Sequence, residues 1–117
     1  MYRDNTLLKR LRDGQSCIGG WLALGNAMAA EVMSLAGFDA LVIDHEHGAG
    51  TLTDATAQMQ AAAAAGPTLI VRVPSHDPDY IKRVLDAGAE GVMVPAVETV
   101  AQAEAIAAAC RYPPQGR

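Results

Sequence analysis

Residues 36–48 read Ala-Gly-Phe-Asp-Ala-Leu-Val-Ile-Asp-His-Glu-His-Gly, and this stretch contains the pattern that decides the fold. A glycine ends an apolar helical pattern, an acidic residue follows, and an apolar run then leads into a polar segment. The same order returns about 51 residues later, at residues 87–95, as Ala-Gly-Ala-Glu-Gly-Val-Met-Val-Pro. That separation equals two strand–helix units of roughly 25 residues each, the unit size of a (β/α)8 barrel of about 250 residues.

Short apolar runs mark the strands of this pattern, and they cover residues 18–24, 40–43, 69–73 and 91–94. Each run is too short for an ordinary helix, and none alternates polar with apolar residues, which is typical of parallel strands buried on both faces. The alternation of strands with helical patterns predicts an α/β fold with right-handed crossovers.

We expect a leading helix over about 4–13 and βα units that start near residues 18, 40, 69 and 91. The chain would then supply about the first four βα units of a (β/α)8 TIM barrel. A small open α/β domain of the flavodoxin type is the alternative.

Apolar residues at helical spacing predict which helix faces pack against the sheet. The helix after the first strand carries such a stripe at Met28, Val32, Leu35 and Ala36. The last helix carries another at Val100, Ala103, Ala107 and Cys110. Between them, residues 51–65 predict an alanine-rich helix, and Asp77 followed by Pro78 predicts the start of the next.

Composition narrows the class of protein. The 117 residues carry a net charge of −4 and only 4% aromatic residues, which argues against a nucleic-acid surface with stacking side chains. No apolar stretch is long enough to span a membrane, and the N-terminus lacks the apolar segment of a signal peptide. Cys17 and Cys110 have no metal-ligand spacing, so we expect reduced thiols and a cytoplasmic location.

Chemistry in parallel α/β folds gathers at the carboxyl ends of the strands. Read in chain order, these ends carry Trp21, the tetrad Asp44-His45-Glu46-His47, Arg72, and Pro95 with Glu98. We expect the strand-end residues to form one site, whereas His76 is predicted to be a surface loop residue.

The tetrad 44–47 holds two imidazoles and two carboxylates. A carboxylate beside an imidazole raises its basicity and suits a general base near neutral pH, although the same groups could bind a metal or form a solvated loop. The glycines of the following Gly48-Ala49-Gly50 would let the backbone approach a ligand.

Arg72 interrupts a run of strand-forming hydrophobes. A guanidinium there needs an anion or hydrogen-bond acceptors, so it would bind a carboxylate or enolate oxygen, or form a structural salt bridge to Asp44 or Glu46. Trp21 would either line the pocket or fill the barrel.

Six segments, in this order along the chain, carry a family resemblance. They are Gly-Gly-Trp-Leu-Ala-Leu (19–24), residues 36–48, Val-Arg-Val-Pro (71–74), Asp-Pro-x-x-Ile-Lys-Arg-Val-Leu-Asp-x-Gly (77–88), Val-Pro-Ala-Val-Glu-Thr (94–99) and Arg-Tyr-Pro-Pro-Gln-Gly-Arg (111–117). As a set they resemble the HpcH/HpaI aldolase family, metal-dependent class II pyruvate aldolases. The resemblance implies a carbon–carbon lyase that cleaves a 2-keto-3-deoxy sugar acid or a 4-hydroxy-2-oxo diacid to pyruvate and an aldehyde.

The resemblance also implies a role for each strand-end residue. His47 would act in acid–base catalysis, and Asp44 would pair with it. Arg72 would bind the keto and enolate oxygen of pyruvate, and Trp21 would line the substrate pocket. Glu46 would lie near metal-bound waters without binding the metal itself. His45 stands at the variable position of the motif and receives no catalytic role.

The cofactor implied by the resemblance is a divalent cation, Mg, Mn or Co, which would polarise the keto group of the substrate. Its ligands, a Glu and an Asp, would lie on the fifth and sixth strands, downstream of Arg117, so no metal ligand is expected in this chain. We therefore expect residues 1–117 to form the N-terminal half of one barrel domain and to be inactive alone. The resemblance also implies a homo-oligomer, commonly a hexamer, for the full-length protein. Two alternative functions are a non-catalytic half-barrel that assembles with a partner and a flavodoxin-like domain that binds a small molecule.

Overall fold

A computed structural model describes residues 4–116; residues 1–3 and Arg117, which closes the sixth family segment, lie outside the described residues. The helices and strands alternate in the order α1 (Thr6–Arg12), β1 (Gly19–Leu22), α2 (Ala27–Leu35), β2 (Ala40–Asp44), α3 (Leu52–Ala62), β3 (Thr68–Arg72), α4 (Pro78–Asp86), β4 (Gly91–Met93) and α5 (Val100–Ala109).

The four strands are parallel and lie in the sheet in the order of the chain, β1-β2-β3-β4. A flavodoxin-like sheet reverses its strand order at a switch point, whereas a TIM barrel adds each strand beside the last. The described strands show no reversal, so the flavodoxin-like alternative is wrong. The predicted α/β fold, with four βα units of a TIM barrel, is confirmed.

The core lies between the centre of the sheet and helices α3 and α4. Ile43 and Val71 on neighbouring strands are at most 1% exposed, and Ile81 and Val84 of α4 are fully buried against the sheet. Local sequence starts both helices. Thr51 and Asp54 form a reciprocal capping box at α3, while Asp77 caps α4 with a proline in its first turn. The centre of the sheet is therefore a rigid base for the residues that follow its strands.

Helices α2 and α5 do not bury the stripes predicted for them. Met28, Val32 and Leu35 are 74%, 64% and 74% exposed, and α2 instead buries Ala30 and Ser34. On α5, Val100 is 75% exposed, and the partly buried residues include Ile106 and Ala109 rather than the predicted set Val100, Ala103, Ala107 and Cys110. The physical reason is position: a barrel helix packs between two neighbouring helices, and α2 and α5 end the row formed by α2 to α5.

Two further features are the length of the helices and the state of the cysteine thiols. Within residues 4–116, no helix is both long and apolar enough to cross a bilayer. Cys17 is half-buried and Cys110 is exposed, and both thiols are free.

Candidate active site

A bidentate ion pair forms the centre of the strand-end site. Asp44 and Arg72 are direct partners in the register of β2 and β3. The guanidinium donates from Nε to Oδ1 of Asp44 over 2.9 Å and from Nη2 to Oδ2 over 2.6 Å. Side chains alternate between the two faces of a strand, so this pair lies on the face opposite the core residues Ile43 and Val71. The structure thus brings together two residues that lie 28 positions apart in the sequence.

Asp44 remains a carboxylate in this setting. The hydrogen bond from Arg72 is the main reason why the pKa of Asp44 lies far below its usual range, and burial opposes this effect. Backbone N–H groups add to it: those of Glu46 and His47 donate to Oδ1 over 2.9 and 3.1 Å. Asp44 therefore fixes both the guanidinium and the backbone turn that follows β2.

Glu46 connects the ion pair to His47. Its Oε2 lies 3.0 Å from Nη1 of Arg72 and 3.8 Å from Nε2 of His47. The expected pairing of Asp44 with His47 is made through the backbone N–H of His47, and the carboxylate within reach of its imidazole belongs to Glu46. The His47 side chain is 73% exposed, so its ring is open to an incoming molecule.

Trp21 stands on the other side of the guanidinium. The Cζ of Arg72 lies 4.6 Å from the centre of the indole ring, a cation–π contact, and Trp21 is 51% exposed. A guanidinium carries five N–H groups, and the contacts to Asp44 and Glu46 occupy three of them. One N–H on each terminal nitrogen thus stays available to a further acceptor beside the indole.

The glycines of the loop after β2 serve the loop itself. A Cβ at Gly48 would collide with the carbonyl oxygen of Asp44, and a Cβ at Gly25 would lie 2.8 Å from Cα of Gly50. The glycines therefore allow the loop to pack closely on its own backbone and on the segment after β1, while their use in the approach to a ligand stays a prediction.

The remaining strand-end residues are on β4 and in the loops that follow β3 and β4. Met93 is the register partner of Arg72 on β4 and is 38% exposed. His76 is half-buried, and its Nε2 bonds the carbonyl oxygen of Pro95 over 2.8 Å, so it joins two strand-end loops instead of lying free on the surface. Glu98 is exposed. Sequence reasoning missed Met93, although the two-residue alternation of β4 could have found it.

His45 turns away from the cluster and is 8% exposed. Its Nδ1 lies 2.7 Å from the hydroxyl of Tyr80 in the first turn of α4. The absence of a catalytic role for His45 was a prediction from the resemblance, and its burial takes it out of reach of the open face of the site. Nothing in the sequence near residue 80 indicated this partner.

The carboxylates and imidazoles of the site are the groups that could bind a metal. Among residues 4–116, no three His, Cys, Asp or Glu side chains converge on a point where they could hold a cation. Both oxygens of Asp44 are bonded to Arg72, and one oxygen of Glu46 is shared between Arg72 and His47. The described residues therefore do not by themselves fit the metal that the resemblance implies.

A family model now gives the decisive comparison: it describes the HpcH/HpaI aldolase/citrate lyase family and matches residues 17–117. The chain belongs to the HpcH/HpaI aldolase/citrate lyase family. The resemblance inferred from the six segments is thereby confirmed.

Relatives of the family show how much of a full-length member the chain represents. It is 50% identical over 113 residues to a 4-hydroxy-2-oxovalerate aldolase of Novosphingobium aromaticivorans, covering 96% of this chain and 43% of that protein. It is 46% identical over 99 residues to a 5-keto-4-deoxy-D-glucarate aldolase of Klebsiella pneumoniae, covering 85% and 39%. A crystal structure of a family member from Burkholderia cenocepacia J2315 superposes with a TM-score of 0.91 at 41% identity, over 97% of this chain and 47% of that one. The chain thus spans less than half the length of these relatives.

Proposed function

We propose that the chain is the N-terminal half of a TIM-barrel aldolase domain that cleaves a 4-hydroxy-2-oxo acid or a 2-keto-3-deoxy sugar acid to pyruvate and an aldehyde. The observation that carries this proposal is the position of the guanidinium of Arg72 with its N–H groups, here called the Arg72 fork. It is held by Asp44 and Glu46, it lies against Trp21, and it keeps an N–H on each terminal nitrogen. A donor pair of this kind suits an oxygen that gains negative charge during the reaction.

The reaction forms an enolate, and Arg72 would stabilise it. In a retro-aldol cleavage the bond between the third and fourth carbons breaks, its electron pair moves toward the keto group, and the keto oxygen becomes negative. Donors already fixed by Asp44 and Glu46 need no reorganisation when that charge appears. The carboxylates would thus keep the guanidinium in place, while its remaining N–H groups bind the substrate.

His47 would carry the proton. The hydroxyl on the fourth carbon must lose its proton as it becomes the carbonyl of the aldehyde, and an exposed imidazole beside a carboxylate is a suitable acceptor. Glu46 is that carboxylate, 3.8 Å away, and Asp44 would position the ring through the backbone of residue 47. The third carbon of the enolate must gain a proton to give pyruvate, and the protonated ring would return it there. This assignment keeps His47, Asp44 and Arg72 as the catalytic set and Trp21 as a wall of the substrate pocket.

We also propose that the complete enzyme uses a divalent cation, Mg, Mn or Co, which when bound polarises the keto group. Since residues 4–116 do not form its site, its carboxylate ligands would follow Arg117 in the barrel. We further propose a cytoplasmic enzyme that works as a homo-oligomer, with a small 2-oxo acid as its partner and neither nucleic acid nor membrane. The exposed apolar faces of α2 and α5 support burial against further polypeptide.

The test uses the protein as its gene encodes it, supplied with Mg, Mn or Co, and measures pyruvate released from 4-hydroxy-2-oxovalerate or 5-keto-4-deoxyglucarate. Arg72→Ala should reduce turnover by about 10²–10³-fold, the usual loss for one removed oxyanion donor. Arg12→Ala, an exposed arginine at the end of α1, is the matched control and should keep parental turnover. Parental turnover in Arg72→Ala would contradict the assigned role, and a protein with no release of pyruvate from either acid would favour the non-catalytic half-barrel.

A further inference from the structure

His45 is a buried residue that stands in the chain between the two carboxylates that hold Arg72. Asp44 and Glu46 flank it in the chain, and both contact the guanidinium. The backbone N–H of His45 donates to the carbonyl oxygen of Arg72 over 2.8 Å, which extends the ladder between β2 and β3 by one residue. Any movement of residue 45 would therefore move both carboxylates relative to Arg72.

The side chain of His45 is held from the helix layer. Its Nδ1 lies 2.7 Å from the Tyr80 hydroxyl, and the two rings meet edge to face with their centres 6.1 Å apart. Tyr80 belongs to the first turn of α4, the helix that follows β3 and thus Arg72. The hydrogen bond joins the loop after one strand of the ion pair to the helix after the other.

The hydrogen bond between the His45 imidazole and the Tyr80 hydroxyl joins two uncharged groups. Burial lowers the pKa of His45 and raises the pKa of Tyr80, so both groups stay uncharged near neutral pH. A neutral imidazole has one donor and one acceptor nitrogen, and Nε2 of His45 is buried without a hydrogen-bond partner among residues 4–116. The hydrogen bond between Nδ1 and the Tyr80 hydroxyl is therefore the contact that fixes the orientation of the ring.

We propose that His45 and Tyr80 are positioning residues: their hydrogen bond fixes the segment 44–46 and thereby sets the geometry of Asp44 and Glu46 around the Arg72 fork. Neither residue would touch the substrate. The inference deepens the proposed function and depends on it only for its kinetic readout. An apolar side chain could fill the same space, but it would not fix the direction of the loop.

Tyr80→Phe tests the bond because it removes the hydroxyl and keeps the ring. In the protein as its gene encodes it, we expect kcat for pyruvate release to fall about tenfold with little change in KM, as is usual when a supporting contact of a site is lost. Tyr112→Phe is the matched control. Its hydroxyl bonds Asp86 over 2.6 Å on the exposed surface, and its loss should leave kcat unchanged.

Two substitutions of His45 separate positioning from simple burial. His45→Asn places a side-chain amide near the position of Nδ1 and should retain most of the parental kcat. His45→Leu fills the space without a polar atom and should lose about tenfold, as Tyr80→Phe does. Equal kcat in the Leu and Asn variants would overturn the proposal, as would parental kcat in folded Tyr80→Phe.

A second readout needs no activity. The Nε–H of Arg72 is bonded to Asp44, so its exchange with solvent, followed by NMR, reports the geometry of the fork directly. We expect exchange to become about tenfold faster in Tyr80→Phe and His45→Leu, but not in Tyr112→Phe. Unchanged exchange in all variants would overturn the positioning role. A parent protein without aldolase activity would instead overturn only the proposed function, because the exchange measurement still decides the role of the two rings.

Discussion

The middle of the described chain and its two flanks are built from the same βα unit, yet the large apolar residues of their helices are buried to different degrees. Helix α4, in the middle, has Ile81 and Val84 fully buried, whereas α2, at one flank, leaves Val32 64% exposed. Propensity and local capping do not explain the contrast, since α2 begins at an asparagine cap as regular as the aspartate cap of α4. Each helix buries two residues, but in α4 these are Ile81 and Val84, whereas in α2 they are Ala30 and Ser34. Most of the large apolar side chains of α2 lie on a face that no described element covers, so their burial depends on what stands beside the helix rather than on the helix itself.

The contrast first predicts that a substitution in the buried face of α4 strongly lowers the stability of the protein. Ile81→Ala removes three carbon atoms from a fully buried position between α4 and the sheet. We expect a loss of about 2–5 kcal/mol in the free energy of unfolding, measured by urea denaturation of the protein as its gene encodes it. A loss below 1 kcal/mol would mean that the middle of the sheet repacks freely and is not the rigid base inferred here.

The Arg72 fork predicts the next largest effect, because it stands on that base. Asp44→Asn keeps the shape of the side chain and removes its charge. The amide oxygen can accept one ordinary bond from Arg72, whereas the NH2 group cannot accept the other, so one bond of the pair is weakened and one is lost. We expect a loss of about 1.5–3 kcal/mol in the free energy of unfolding at pH 7. Asp79→Asn is the control: Asp79 pairs with Lys82 at the surface, and about 0.5 kcal/mol or less should be lost there.

The parent protein and Asp44→Asn should also differ in how their free energy of unfolding depends on pH. The pKa of Asp44 is lowered in the folded state, mainly by Arg72, so the carboxylate stabilises the fold above the ordinary carboxyl pKa of about 3.9. That contribution decreases as the pH falls below this value toward the lower pKa of the folded state. The difference in unfolding free energy between the parent and Asp44→Asn should therefore be largest near neutral pH and shrink below about pH 4. A difference that grows on acidification would contradict the sign of this pKa shift.

The sequence predicted the fold well because its signals are local. Apolar runs, helix caps and the glycines that follow helices each depend on a few adjacent residues, and together they predict four parallel strands in chain order. The approach of Arg72 to Asp44 was also foreseeable as one of two alternatives, since both residues end neighbouring parallel strands.

Other side-chain contacts were not predictable in this way, because they depend on rotamers and on packing between elements. The partner of the His47 imidazole depends on rotamers within one loop, and the structure gives Glu46 where the resemblance implied Asp44. The partner of His45 lies 35 residues away on another helix. The exposure of Val32 depends on which helix stands beside α2, and an apolar stripe in a sequence does not say what covers it.

The smallest effect is expected for a substitution in the exposed apolar stripe of α2, and it is best compared with the same substitution in the buried face of α4. Val32→Ala and Val84→Ala remove the same two carbon atoms, one from the exposed face of α2 and one from the buried face of α4. In residues 1–117 expressed alone, we expect Val32→Ala to change the free energy of unfolding by about 0.5 kcal/mol or less, as for other surface substitutions, and Val84→Ala to cost about 2 kcal/mol. Equal losses would show that the exposed face of α2 is covered even in this chain. Unfolding midpoints that rise with protein concentration would then identify a second copy as the cover, because only association makes stability depend on concentration.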